Sequence, residues 1–138
     1  MTLWAIVRSP LFIGLDLQQV QASDLVLLTN KAVLSVNSDS RANRQAATQS
    51  GGRYIWVAES ATSTIAQPVL YAALFNNGLH EQEVSATLAQ LGLSDGASSC
   101  DAEDLWAGGP STVHIAGGKV SAVMGGGRSE LIKVSNCK

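Results

Sequence analysis

The spacing of apolar positions changes rhythm twice along this 138-residue chain. Leu3, Ile6 and Val7 stand at i, i+3 and i+4, which predicts a short helix with one apolar face. Pro10 biases Ser9 toward an extended backbone, and Leu11 to Leu15 form an almost unbroken apolar run, the pattern of a strand buried on both faces beside parallel neighbours. Ser23 is placed to cap a helix through DLVLLT, and Asn30 to cap a second one through KAVLSV. The order predicted for residues 1 to 36 is helix, buried strand, helix. One such strand cannot satisfy its own ladder hydrogen bonds or cover its apolar faces, so the unit needs neighbours from outside itself.

From Asn37 to Gly52 the sequence NSDSRANRQAATQSGG holds almost no large apolar residue and ends in two glycines, which predicts a linker. The chain divides there into residues 1–50, the helix-strand-helix unit with its linker, and residues 51–138. In the second part, strands are predicted at Arg53–Glu59, Pro68–Asn76, Glu83–Leu88, Ala102–Trp106, Lys119–Met124 and Ser129–Val134, separated by Gly, Asn, Asp and Ser turns. Val120, Ala122 and Met124 alternate with Lys119 and Ser121, giving one buried and one wetter face. The fold class is mainly β, with a C-terminal antiparallel β-sandwich. The run Gly125 to Gly127 lies between two predicted strands and reads as a hairpin turn, since it lacks the Lys-Ser/Thr of a phosphate loop.

Composition narrows the function classes. Hydrophobic residues make up 46% and charged residues 14%, enough to bury a core. The net charge of -2 gives no basic field, so neither nucleic acid nor an anionic membrane surface is an expected partner. Arg8 interrupts the longest apolar stretch before it reaches the roughly 18 residues of a membrane-spanning helix, and Pro10 splits it, against a secretion signal as well; the chain is read as soluble, in an unassigned compartment. Cys100 and Cys137 are too few for a disulfide framework and too far apart for a CxxC site; one disulfide or two free thiols fit the sequence, and free thiols are the favoured reading.

The segment LWAIVRSPLFIGLDL followed by SDLVLLTNKAVLSVNSD closely resembles the closing helix, strand and helix of the catalytic (β/α)8 barrel in glycoside hydrolase family 27, which contains α-galactosidases and α-N-acetylgalactosaminidases. The likeness continues through the Trp56 strand, AALFN at Ala72 to Asn76, LAQLGL at Leu88 to Leu93 and DLW at Asp104 to Trp106, matching that family's C-terminal β-domain. It implies that residues 1–50 are a remnant of the last barrel unit. It implies also that the two catalytic aspartates belong to earlier barrel strands, so that this chain alone is inactive although the parent family is a retaining α-glycosidase. Two departures stand out. Asn37 to Arg41 replace the family's N-Q-D-P-L-G turn, and Gly125 to Arg128 replace its Pro-His-Gly turn.

Residue by residue, no pair of carboxylates reads as the two that a retaining glycosidase needs about 5 to 5.5 Å apart. Asp16 is the best single carboxylate, at the end of the Leu11–Leu15 run, and is taken as adjacent to a pocket, although capping of the next turn accounts for it too. Trp56 and Trp106 are the candidates for stacking on a sugar ring, with core packing as the plainer role. Asp101, Glu103 and Asp104 read as a charged rim, and His80 and His114 as surface histidines without partners at zinc spacing, so no metal and no cofactor is expected. The expected partner is a second copy, a homodimer through residues 1–36, with carbohydrate as the alternative ligand; folding of that unit back onto the sandwich is the competing arrangement.

Overall fold

The structure is a computed structural model and describes the chain apart from Leu15, Leu17, Asp95 and Thr112, with the backbone alone at Gly109 and Pro110. In chain order its elements are α1 (Thr2–Ile6), α2 (Ala22–Leu28), α3 (Lys31–Asp39), β1 (Ser40–Gln49), β2 (Arg53–Ser60), β3 (Leu70–Asn76), β4 (Gln82–Thr87), α4 (Leu88–Leu91), β5 (Asp101–Asp104), β6 (Gly109–Pro110), β7 (His114–Ala116), β8 (Lys119–Met124) and β9 (Arg128–Ser135). Two antiparallel sheets result, one ordered β1-β2-β3-β9-β5-β6 and the other β4-β8-β7. The expected mainly-β antiparallel sandwich is present, and each of the six predicted strands lies within two residues of an observed one.

Side-chain alternation sorts the larger sheet into two cores. Ile55 and Val57 of β2, Leu70, Ala72 and Leu74 of β3, and Ile132 and Val134 of β9 face the small sheet, where they meet Val84, Ala86, Val120, Ala122 and Met124. The intervening residues, Ala58, Tyr71, Ala73, Phe75 and Leu131, face the other way and receive Ala5 and Ile6 of α1 and Val33 and Val36 of α3. The molecule is therefore layered as helices, large sheet, small sheet. Central β3 is covered on both faces, and all seven of its residues are buried.

Four local expectations are corrected. The predicted linker contains β1, a ten-residue strand paired with β2 from Ser40↔Ser60 to Gln49↔Arg53. Its ladder is irregular between Arg41 and Arg44 and again between Gln45 and Ala47, which scrambles the alternation, and as an edge strand it needs few apolar residues. The Leu11–Leu15 strand does not form over its described residues: Leu11 to Gly14 belong to no strand, and among the described residues no strand pairs with them. Helix α2 starts at Ala22 with Gln21 in the capping position, so Ser23 lies inside it. Gly125 to Gly127 form a tight turn but no hairpin, since β8 and β9 belong to different sheets.

That crossover explains its glycines. A Cβ on Gly126 would lie 2.6 Å from Gly78 O and 2.7 Å from Leu79 O, so only glycine allows the two loops to meet, while Gly127 has φ +70. Beneath them Asn76, fully buried, joins the sheets: its amide donates to Met124 O (2.7 Å) and His80 O (2.9 Å), and its Oδ1 accepts from Gly78 N (3.0 Å).

Candidate functional site

Polar side chains bolt the first and third helices to the sandwich. Buried Thr2 accepts at its hydroxyl from Trp106 Nε1 (3.2 Å) and Ser129 Oγ (3.1 Å). Asn30 caps α3 as expected, accepting from Val33 N at 3.1 Å, and its amide donates to Leu105 O at 3.0 Å. Asn37 donates to Trp4 O (3.1 Å) and Ser9 O (2.9 Å), and Asn43 donates to Ile6 O (2.7 Å). These bonds and the buried side chains Ile6, Val33 and Val36 fix one face of the helical layer.

Among the described residues the opposite face is open. Met1, Trp4, Pro10, Leu11, Phe12, Ile13, Gly14, Leu28 and Leu34 line an apolar groove of about 550 Å³. Phe12 is 89% exposed and Trp4 57%. On α2, Leu25, Val26 and Leu27 are exposed too. The unit expected either to fold back on the sandwich or to seek a partner does the first with α1 and α3, while Trp4, residues 10 to 14 and α2 stay outside.

Asp16 lies two residues beyond the groove-lining Gly14 and is exposed. Its Oδ1 accepts from Gln18 N at 3.0 Å and its Oδ2 from Gln19 Nε2 at 3.1 Å, so both oxygens serve the turn that follows. Trp56 and Trp106 are both half-buried against the core under the helices. Trp106 also borders a shallow hollow with Phe75 and Arg128, but its indole N–H is taken by Thr2. The sequence thus brings Trp56 and Trp106 into one packing layer, apart from Asp16. The residues it did not single out are Thr2, Asn43 and Asn76, whose importance comes from long-range burial that leaves no spacing signal.

Of the acidic trio, Asp101 and Glu103 are exposed on β5, whereas Asp104 Oδ1 accepts from Trp106 N (2.7 Å) and Ala107 N (3.2 Å) to hold the turn after it. Half-buried Glu130 has its pKa pushed up by burial first and by the Asp104 carboxylate second, with Arg128 opposing. His80 and His114 are exposed, as read from the sequence.

Comparison with known proteins follows this division of the molecule. Residues 50–127 match the family described as the α-galactosidase C-terminal β-sandwich domain, and residues 1–39 match the one described as α-galactosidase A. The chain belongs to the α-galactosidase family. It corresponds to the C-terminal part of a glycoside hydrolase family 27 α-galactosidase-like protein. It is 28% identical over 124 residues to an α-galactosidase of Coffea arabica, covering 89% of this chain and 31% of that one. Against α-galactosidase 2 of Arabidopsis thaliana it is 28% identical over 106 residues, 76% of this chain and 25% of that one. A family 27 β-L-arabinopyranosidase of Geobacillus stearothermophilus superposes with a TM-score of 0.83 at 30% identity, covering 97% of this chain and 28% of that one. The chain therefore spans about a quarter to a third of the length of these α-galactosidase-family relatives.

Proposed function

We propose that this chain is a non-catalytic C-terminal companion of a glycosidase barrel, a sandwich that carries the last barrel unit and works through that unit's apolar face. The observation that carries the reading is the groove around Trp4, Phe12, Ile13, Leu28 and Leu34, anchored to the core on one side and open on the other. Retaining hydrolysis needs a nucleophile and an acid about 5 to 5.5 Å apart. Asp16, the carboxylate closest in sequence to the groove, has its oxygens occupied by Gln18 and Gln19, and the family resemblance assigns both catalytic aspartates to barrel strands earlier than the segment matched here. The purified chain is expected to leave a chromogenic α-galactoside unhydrolysed. Turnover that disappears in Asp16→Asn would overturn the reading.

A second observation favours self-association as the state of the 138-residue chain in solution. With about 150 to 250 Å² for a whole aromatic side chain and less for an aliphatic one, the exposed parts of Leu3, Trp4, Phe12, Ile13, Leu25, Val26 and Leu27 amount to roughly 700 Å². A stable interface takes about 800 Å² from each partner, so two copies meeting through this face come close to it.

A further inference from the structure

The two cysteines read as free thiols are joined: Cys100 and Cys137 form a disulfide with their Cα atoms 4.1 Å apart. Their positions, just before β5 and just after β9, extend the pairing of those strands beyond its regular end. Ser98 N and Ser99 N donate to Lys138 O at 2.6 and 3.2 Å, and Lys138 N donates back to Ser99 O at 2.9 Å. The same short segment also reaches the other sheet. Ser99 bridges Ala116 of β7, Gly118 N donates to Ser98 O at 3.1 Å, and Gly118 O accepts from Leu88 N at 2.8 Å. Ser98 and Ser99 thus bond both Lys138, beyond the end of β9, and the β7–β8 hairpin, and the disulfide ties this segment to the C-terminal residues. Both cysteines are half-buried, and Cys137 borders a small cleft of about 220 Å³ with Ile65, Pro68 and Leu93, which gives a thiol reagent a route to the sulfur.

We propose that Cys100–Cys137 is a redox-sensitive clasp at the end of the large sheet, joining the segment before β5 to the one after β9 and closed in an oxidising compartment, and that opening it frees residues 98–100 and 136–138 while the rest of the sandwich stays folded. Closure removes two electrons and two protons from the two thiols and passes them to an acceptor disulfide, as a thiol–disulfide oxidoreductase or oxidised glutathione supplies, which leaves as a dithiol or two thiols. Disulfides of this kind persist in secreted and extracytoplasmic proteins and are rare where glutathione keeps thiols reduced. The inference is independent of the apolar face, which lies on the other side of the large sheet.

The test is thiol titration of the unreduced protein in denaturant, followed by native-state hydrogen exchange with and without dithiothreitol and on the Cys100→Ser/Cys137→Ser double variant. No reactive thiol before reduction and two after it are expected. Exchange at the Ser98, Ser99, Gly118 and Lys138 amides should then approach the rate of unprotected amides on reduction and in the double variant, while Leu74 and Ile132 stay protected and quicken by no more than the loss of global stability accounts for. Two reactive thiols in the unreduced protein would overturn the proposal, as would unchanged exchange at the four amides or loss of protection throughout the sandwich, including failure of the double variant to fold.

Discussion

Asn76 is the polar side chain that ties β3 to the end of β8. It is fully buried, and its amide and carbonyl bond the loop carbonyl of His80, the end of β8 at Met124 and the turn amide of Gly78. Asn76→Ala leaves the buried Met124 carbonyl unpaired and the part-buried His80 carbonyl and Gly78 amide without their partner, at about 1 to 3 kcal/mol for a buried unmet group, so a net loss of about 2 to 4 kcal/mol is expected in urea unfolding. Glu130 has the opposite sign. Its folded pKa is raised, so the folded protein holds that proton more tightly than the unfolded chain does. The stability this contributes is complete below the ordinary glutamate range, near pH 4.3, and is lost as pH rises through the raised folded value. Glu130→Gln, which imitates the protonated form, is therefore expected to raise the melting temperature at neutral pH and to leave it nearly unchanged at pH 4. Equal effects at both pH values would contradict this account of the residue.

At the scale of elements, the strands that the sequence made legible are those with a regular alternation between two apolar surroundings. Lys119–Met124 is the clearest: Val120, Ala122 and Met124 enter the core while Lys119 and Val123 stay exposed, and its predicted ends coincide with the observed ones. β1 was not legible, because an edge strand is held by ladder bonds to one neighbour and its two irregularities erase the period. The segment at residues 11 to 14 failed in the other direction. Its composition specifies a strand, but a strand exists only with a partner. The sequence left the disulfide undecided for a related reason, since the approach of residue 100 to residue 137 depends on β5 pairing with β9 from Asp101↔Ser135 onward. Closing that loop of 37 residues contributes about 3 to 4 kcal/mol by chain entropy, so the Cys100→Ser/Cys137→Ser variant should lose about that much in denaturant unfolding.

At the scale of the whole molecule, the two sheets cover each other, while among the described residues the helical layer is packed on one side. Asn30, legible as a helix cap, and the apolar residues of 1–36 pointed to this unit, but which of them turn inward follows from the docking of α1 and α3 on the Tyr71, Ala73 and Phe75 face of β3. The exposed apolar groups, at about 25 cal/mol per Å², carry the free energy on which the proposed association rests. The expectation that this face, rather than any catalytic pair, is where the chain acts is tested most directly by sedimentation equilibrium of the 138-residue chain at micromolar concentration, beside a Trp4→Asp/Phe12→Asp variant. The account predicts twice the 14.4 kDa chain mass for the parent and the single-chain mass for a variant that keeps its β-sheet circular dichroism. A 14.4 kDa species for the parent that gains no mass on concentration would contradict it.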